Sequence, residues 1–503
     1  MRLLNKFVEN INTFKAIYII SLVGFITFVN CLFNRFVLDD YSFIVNNPEI
    51  HVFNIFALLG KNMFNGLGYY RPIPAIYFAS LYSFFTTNQF FYHIVQITLH
   101  IANTFFVFVL FKKFFSEKLS LFLSLIFLVH PVQVESVSYI AGAGNPLFFL
   151  FGITALILSQ KKISETKYQI WIYLCLFLSF LTKETGILFA FMITLYLYLF
   201  LRRRVFPFIL YGIPVFLIYF FTRNVIGDTH FTYQKYIPIM TLSFLERLIN
   251  VPQILFYYVK TFLFPLNLAV NQAWIVTTIN FPNFFFPLIL LIIFFSSLCV
   301  FGIYFYKKGE IEFKIFIFFF VWLVLGLLLH AQFVPLDFTV ADRWFYFPIV
   351  GMLGVIGICF NEIKKYLKLP HRIVISCGVV MIALLMYRTV VRNNDWSDAF
   401  TLYKHDVQYT QSNLLENDLG VEYLSREQYD EAINHFKKSI AILPFEVNAY
   451  NLGLTYTKKH DDKNAKIYFQ QAVQYYKGYV AHAVLAKLLL LYNDPQGCTV
   501  THK

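Results

Sequence analysis

The sequence predicts an all-α membrane protein in which a polytopic helical domain is followed by a small soluble α-solenoid. Hydrophobic residues make up 58% of the 503 residues and charged residues only 14%, which leaves too little polar surface for a water-soluble globule. Apolar segments rich in Phe continue to about residue 389, and the polar tail after them contains one 33-residue unit twice. These two observations separate the chain into a membrane part and a repeat part.

The repeated unit has the spacing of tetratricopeptide helix pairs. The residues that recur are Leu419, Gly420, Tyr423, Ala432 and Phe436, which return as Leu452, Gly453, Tyr456, Ala465 and Phe469. Solenoids of this kind offer binding surfaces for partners. We therefore expect any chemistry to reside in the membrane part.

The domain boundaries that we predict are 1–390 for the membrane domain, 391–412 for a junction, 413–445 and 446–479 for the repeats, 480–492 for a capping helix and 493–503 for a tail. The capping helix would cover the apolar end of the solenoid. Two repeats form only a small concave face. That face could present an acceptor polypeptide, dock a partner protein or aid assembly.

The net charge of +13 reflects membrane topology rather than a nucleic-acid partner. The lysines and arginines fall mostly in short clusters between apolar segments, where the positive-inside rule places them on the cytoplasmic side. Between two consecutive basic clusters the chain must cross the membrane twice, which gives about eleven spans in total. The first is a retained span over 14–33. This count places the amino terminus inside and the repeats outside. The segment 72–85 is better interpreted as a re-entrant or interfacial helix and 245–264 as an outer surface helix. We expect a bacterial inner membrane.

The first catalytic candidates are the adjacent carboxylates Asp39 and Asp40, just beyond the first predicted span. Such a pair could act as a general base or hold a metal ion. The alternative is that both are merely solvated at the end of a span. Repulsion and partial burial would raise the pKa of at least one carboxylate, which would suit it to take a proton from an alcohol.

Three cations are embedded in apolar sequence on the predicted outer side: Arg71, Lys183 and Arg343. A cation in such a place is costly unless it meets an anion or lines a polar cavity. Phosphate suits the guanidinium fork and the compact ammonium group. For Lys183 the alternative is an ion pair with Glu184 or snorkelling to the membrane interface.

His93 and His100 share one helical face with Gln96 and Asn103. We interpret this as a buried, hydrogen-bonded stripe rather than a metal site, because the sequence places no third ligand. Glu135 lies just after the turn that begins at His130 and could be a site residue or a helix-starting charge.

The order of the motifs resembles the polytopic glycosyltransferases of the GT-C superfamily, most closely the transmembrane-and-tetratricopeptide-repeat O-mannosyltransferases and their bacterial relatives. The motifs that carry the resemblance are Leu38-Asp39-Asp40 with Asn47-Pro48, Tyr70-Arg71-Pro72, His93 to Asn103, His130-Pro131 with Glu135, Lys183-Glu184 and Asp342-Arg343-Trp344-Phe345-Tyr346, succeeded by the repeats. Each motif is weak alone, and their order together with the repeats makes the combination specific.

The resemblance implies inverting transfer of a sugar, with mannose favoured, from a polyprenyl-phosphate donor to a hydroxyl acceptor on the non-cytoplasmic face. The expected acceptor is a protein or a glycan. By this analogy Asp39 is the general base and Asp40 supports it. Arg71, Lys183 and Arg343 match positions that face the donor phosphate in related enzymes.

Glu135, Asn145 and His93 become candidates for contacts with the acceptor or the sugar. No cofactor is required by the resemblance, and a divalent metal is not favoured because the three cations can carry the same charge-stabilising role. One departure concerns Asn145. Related sequences show Gly-Arg-x-Asp where this chain has Gly142-Ala143-Gly144-Asn145. An amide forms hydrogen bonds but cannot act as a base at neutral pH, so a changed donor or a reduced activity stays open.

Two other classes of function are compatible with the same sequence. A non-catalytic membrane scaffold would use its repeats to recruit envelope proteins, but it gives no reason for costly polar residues on one side of the membrane. A transporter of lipid-linked sugars would require alternating access, and the membrane part shows no obvious internal repeat.

Overall fold

The computed structural model describes residues 12–62, 69–162, 165–227, 234–366 and 370–475. Within these ranges the chain forms helices and no strand, apart from one isolated bridge between Gln272 and Val340. The all-α prediction is confirmed. The capping helix predicted over 480–492, the tail over 493–503 and the last residues of the second repeat lie outside the described residues.

The α-helices in chain order are α1 (Thr13–Phe28), α2 (Ile55–Leu59), α3 (Pro72–Phe85), α4 (Gln89–Phe111), α5 (Glu117–Val129), α6 (Val134–Val137), α7 (Gly144–Lys162), α8 (Thr166–Thr182), α9 (Ile187–Phe200), α10 (Val205–Val225), α11 (Pro238–Thr241), α12 (Phe244–Leu263), α13 (Phe286–Lys308), α14 (Glu310–Leu329), α15 (Pro348–Tyr366), α16 (His371–Asp395), α17 (Ala399–Asp406), α18 (Asn413–Ser425), α19 (Tyr429–Ile442), α20 (Glu446–Lys458) and α21 (Asp462–Tyr475).

Seven helical segments of the described chain are long and apolar enough to cross a membrane. They are Thr13–Phe33, Gln89–Phe111, Ile140–Gln160, Val205–Val225, Phe281–Lys308, Glu310–Leu329 and Arg372–Asp395. An eighth results if α5 and Pro131–Val137, which meet at a bend of 52°, form one span. The multi-pass prediction is confirmed, whereas the count of about eleven spans stays a prediction.

Helices α3 and α12 are not among the seven candidate spans, and the sequence predicts that neither crosses the membrane. Helix α3 has only 14 residues; it begins at Pro72, which needs no N–H partner in the first turn, and ends before Thr86, whose φ is 48°. Helix α12 is absent from the seven candidates and begins with a capping box between Ser243 and Glu246. The re-entrant and surface placements of these helices stay predictions.

The membrane domain is packed mainly through aromatic side chains. Helices α14 and α15 approach closely because Gly354, which has no side chain, faces the Phe319 ring. Any other residue at position 354 would place its Cβ 2.1 Å from that ring, which is too close. Phe319 and Trp322 are fully buried in this seam. Small residues permit such approaches between membrane helices, where packing replaces the hydrophobic driving force of water. By contrast, Phe206 and Leu217 of α10 are exposed, as a lipid-facing helix requires.

The tail folds into two helix pairs, α18 with α19 and α20 with α21. The seam predicted from the repeat pattern is present: a Cβ at Gly420 would lie 2.7 Å from the Phe436 ring. Phe436, Leu452 and Phe469 form one buried cluster. Each pair therefore buries an apolar stripe against its neighbour, which is how solenoid repeats gain stability.

The repeats are docked against the membrane domain through a short, buried junction. Arg392 near the end of α16 forms two hydrogen bonds to the Asp406 carboxylate, at 2.6 and 2.9 Å. Arg392 is 1% exposed and Asp406 fully buried, and Asp406 also accepts a bond from the Val270 N–H at 2.8 Å. Trp396 is buried in a cluster with Leu402. These contacts hold the repeats in one position.

We expect Asp406→Ala to loosen this junction, because the buried Arg392 guanidinium loses its two hydrogen bonds to Asp406 and keeps the longer contact to Asp395, at 3.3 Å. Breaking a buried ion pair costs up to about 3–5 kcal/mol. The measurement is the thermal unfolding of the detergent-purified protein, together with limited proteolysis of the junction.

Glu422→Gln is the matched control, since Glu422 pairs with the partly exposed Arg426 and surface pairs contribute about 0–1 kcal/mol. Equal stability of the two variants would contradict the structural role of the Arg392–Asp406 pair.

Candidate active site

A cavity of about 240 Å³ lies where the membrane helices meet the repeats. It collects polar groups from segments that are far apart in the sequence. Its lining includes Asp39, Tyr69, Arg71, Tyr139, Asn145, Lys183, Tyr236, Asp337, Arg343 and Leu414. The predicted base candidate and the three predicted cations therefore line one cavity.

Asp39 is held in the cavity by its backbone and by one hydrogen bond. The preceding residue, Leu38, has a φ of 52°, a left-handed conformation that is unfavourable for a leucine. Residues in such conformations persist only where the surrounding structure imposes them, often at functional sites. The Asp39 carboxylate accepts a hydrogen bond from the Tyr139 hydroxyl at 2.7 Å and is otherwise exposed towards the cavity. The side chain is thus oriented but accessible.

Asp40 points away from the cavity and is fully buried. One carboxylate oxygen accepts the Val37 N–H at 2.9 Å and the other accepts the Ala141 N–H at 2.6 Å. Burial raises the pKa of Asp40 to about 8, against the lowering effect of these two hydrogen bonds. Asp40 therefore ties the loop that carries Asp39 to the turn before α7. The predicted pKa increase occurs at this member of the pair, chiefly through burial.

Arg71 is fixed by a carboxylate and a ring. Its Nε and Nη2 donate to one oxygen of Glu184 at 3.0 and 2.7 Å, and its guanidinium lies 4.1 Å from the centre of the Tyr69 ring. The Tyr69 hydroxyl in turn donates to Asp337. The alternative in which Glu184 pairs with Lys183 is not what the structure shows. Glu184 is the partner of Arg71.

Lys183 has a neutral partner instead. Its ammonium group donates to the Asn145 side-chain oxygen at 2.6 Å, and within the described ranges no carboxylate forms an ion pair with it. Burial, then the charges of Arg71 and Arg343, lowers the pKa of Lys183 to about 7. Because Asn145 replaces the aspartate expected from related sequences, the positive charge of Lys183 stays available to a ligand.

Arg343 is positioned by Glu135, which is 3% exposed. The Glu135 carboxylate pairs with the Arg343 guanidinium and accepts the Arg343 backbone N–H at 2.8 Å. The two residues come from motifs more than 200 positions apart. Glu135 therefore reaches the cavity only through Arg343. It is a positioning group in this arrangement, and its placement does not favour the predicted sugar contact.

His93 also lies away from the cavity. It is fully buried and its Nε2 lies 3.2 Å from the Asn34 carbonyl oxygen. His100 lies between the Tyr346 hydroxyl and the Leu128 carbonyl, each at 2.9 Å. The stripe on α4 is hydrogen-bonded as the sequence predicts. Its placement gives no support to His93 as a contact for the acceptor or the sugar.

Several lining residues were not predicted from the sequence. Asp337 and Tyr236 lie in segments between helices that carry no motif, so no motif in the sequence connects them to Asp39. Tyr69 and Tyr139 lie within or beside the motif segments, but their hydroxyl partners depend on tertiary contacts. Leu414 comes from the repeats, whose sequence pattern indicates partner binding rather than chemistry.

A second, much smaller cleft of about 10 Å³ adjoins the main cavity. It shares Asn145, Lys183 and Arg343 with the cavity, and its other walls include Phe148 and Trp344. Lys183 and Arg343 therefore line both spaces, the cavity that contains Asp39 and the small, mostly apolar cleft.

No group of three or more His, Cys, Asp or Glu residues suited to a metal ion is found in the described part of the chain. The expectation that the site requires no metal stays a prediction.

Comparisons with known proteins agree with the family that the motifs resemble. A tetratricopeptide repeat model matches residues 448–479. The chain is 24% identical over 426 residues to a protein O-mannosyl-transferase of Caenorhabditis elegans, covering 79% of this chain and 58% of that protein. It is 24% identical over 502 residues to protein O-mannosyl-transferase TMTC3 of Homo sapiens, covering 90% of this chain and 54% of that protein. The similarity to protein O-mannosyl-transferase TMTC1 of Homo sapiens is 31% over 177 residues, or 30% of this chain and 20% of that protein.

The predicted resemblance to the transmembrane-and-tetratricopeptide-repeat O-mannosyltransferases is confirmed by these similarities. The chain spans somewhat more than half the length of the first two relatives, at 58% and 54%. No solved structure matches the chain significantly.

The neutral partner of Lys183 leads to a pH prediction. Lys183 is charged below its pKa of about 7 and loses its proton as the pH rises through that value. We expect a lipid phosphodiester, whose own charge is constant, to bind more weakly as the pH rises from about 6 to about 9. Asn145→Asp supplies a negative partner and should raise the pKa of Lys183, which moves the loss of affinity to higher pH.

The measurement is equilibrium binding of a radiolabelled lipid phosphodiester to purified protein at several pH values. Lys183→Gln is the control, because it should bind weakly at every pH. Equal affinity of the wild type across the whole range would contradict the role of Lys183.

Proposed function

We propose that this protein is a membrane glycosyltransferase that transfers mannose from a polyprenyl-phosphate donor to a hydroxyl group of a protein acceptor. One observation carries the proposal: Asp39 and the cations Arg71, Lys183 and Arg343 line the same cavity. The relatives are named protein O-mannosyl-transferases, which supports the sugar and the acceptor class. The polyprenyl-phosphate donor is supported by the motif resemblance and by the three cations of the cavity, whose charge suits a phosphate.

In the proposed reaction Asp39 acts as the general base. Its carboxylate takes the proton of the acceptor hydroxyl as the oxygen attacks the anomeric carbon of the sugar. The bond from that carbon to the phosphate oxygen breaks, and its electron pair leaves with the lipid phosphate. A single displacement of this kind inverts the anomeric configuration. The Tyr139 hydroxyl keeps the Asp39 carboxylate in position through its hydrogen bond.

The three cations would stabilise the negative charge that develops on the leaving phosphate. Arg71 and Arg343 are already oriented by Glu184 and Glu135, so they need little reorganisation when the donor binds. Lys183 has only an amide partner and contributes the least compensated charge. In this arrangement the cations supply the charge stabilisation for which other enzymes use a divalent metal, so no metal is needed.

The proposal places the cavity and the repeats on the non-cytoplasmic side, as the basic clusters predict. The O-mannosyl-transferase relatives are animal proteins, so they give no support to the bacterial inner membrane expected from the sequence. The membrane location stays part of the proposal.

The test is transfer of radiolabelled mannose from polyprenyl-phosphate mannose to a crude envelope protein fraction by the detergent-purified protein. We expect Asp39→Asn to lower the rate by about 10²- to 10⁴-fold, the usual contribution of a general base. An asparagine at position 39 has the same shape and can still accept the Tyr139 hydrogen bond.

Asp430→Asn is the matched control, because Asp430 is an exposed carboxylate on α19, away from the cavity. Full activity of Asp39→Asn would remove the base assignment. Failure of the wild type to transfer any sugar from a panel of polyprenyl-phosphate donors would instead favour the scaffold.

A further inference from the structure

The repeats form part of the wall of the cavity. Leu414, in the first turn of α18, lines the same cavity as Asp39. The neighbouring Asn413 donates to the Tyr236 carbonyl at 2.9 Å, and Tyr236, itself a lining residue, has its ring 5.8 Å from that of Phe445, the residue before α20. The cavity is thus closed on one side by the first repeat and by the segment that carries Tyr236.

A line of polar groups leads away from the cavity along the repeats. Asp418 lies one helical turn after Leu414, on the same face of α18. Its carboxylate oxygens accept hydrogen bonds from the Asn271 and Asn417 amides, each at 3.3 Å, and each oxygen keeps a further lone pair. Burial raises the pKa of Asp418 to about 7, and the charge of Asp39 adds to this effect. Asp418 therefore lies within the electrostatic reach of the proposed base.

The second repeat continues this line. Asn451 occupies the position in α20 that Asp418 occupies in α18, one 33-residue repeat later in the sequence, and its side chain is only partly buried. The Asn451 amide donates to the Asn417 side-chain oxygen at 3.0 Å. The Asp418 carboxylate on α18 and the Asn451 amide on α20 thus lie at equivalent positions on one side of the repeats.

We infer that an extended segment of the acceptor polypeptide lies along this polar line, with its hydroxyl residue reaching Asp39 and its backbone amides bound by Asp418 and Asn451. We name the line from Asp418 to Asn451 the acceptor strip. This inference rests on the proposed function and specifies how its acceptor is held.

The spacing and chemistry of the acceptor strip favour a polypeptide. Packed helices lie about 8–10 Å apart, which equals about three residues of an extended chain at about 3.3 Å per residue. Backbone N–H groups are obligatory donors and recur along such a chain, whereas Asp418 and the side-chain oxygen of Asn451 are acceptors. The strip is too polar for the hydrocarbon chain of a lipid.

The experiment compares two acceptors with the full-length protein and polyprenyl-phosphate mannose. One is a degenerate peptide pool of about twelve residues with a central Thr, which spans about 40 Å when extended. The other is N-acetyl-threonine amide, which is too short to reach the strip. The quantity measured is the ratio of kcat/KM for the long acceptor to kcat/KM for the short one.

We expect this ratio to exceed about tenfold in the wild type and to fall by about tenfold, mainly through a higher KM for the pool, in Asp418→Asn and in Asn451→Ala, because each loses about one hydrogen bond. Glu431→Gln is the matched control, since Glu431 is exposed on α19 and outside the strip. Donor binding and gel filtration verify that each variant is folded.

Equal use of the two acceptors by the wild type would overturn the inference, as would variants that keep the wild-type ratio. Transfer to a glycan or lipid acceptor in place of the peptide pool would also overturn it, while leaving the transferase proposal intact. Absence of transfer to any acceptor would remove the proposed function and this inference together.

Discussion

The positions of the charged groups in this protein depend on the cost of burying a cation without a partner. Arg71, Arg343 and Arg392 are held chiefly by the carboxylates of Glu184, Glu135 and Asp406. Arg392 has Asp395 as a second partner, at 3.3 Å. Breaking such a pair leaves a largely buried charge without its partner, which is costly. Each pair therefore fixes both its side chains and the two segments that carry them. In the Arg71–Glu184 and Arg343–Glu135 pairs these segments come from distant parts of the chain.

Lys183 is the exception to this pattern. Its partner is the amide of Asn145, so the cavity contains one cation whose charge no neighbouring carboxylate in the described chain neutralises through an ion pair. A ligand phosphate would complete the set of ion pairs in the same way that the three carboxylates do for the arginines. The asparagine at position 145 thus leaves a place for the negative charge of a ligand beside Lys183.

The pair Asp39 and Asp40 shows how two adjacent carboxylates acquire different roles. Burial and two backbone N–H groups make Asp40 a structural link between the first loop and the turn before α7. The left-handed backbone of Leu38 and the Tyr139 hydroxyl keep Asp39 accessible. Chain neighbours diverge here because a sharp turn sends one side chain into the core and the other into the cavity.

The fold class, the repeats and most of the charged groups of the lining were predictable from the sequence alone. Apolar length and the 33-residue period determine membrane helices and helix pairs locally, and a cation within apolar sequence indicates a polar cavity. The partners of those cations were not predictable, since the pairing of Glu184 with Arg71 rather than Lys183 depends on the relative placement of α3 and the turn before α9. The same holds for Asp337 and Leu414, whose contribution to the cavity depends on long-range packing. The sequence determined which chemical groups are present, and only the tertiary structure decided which of them meet.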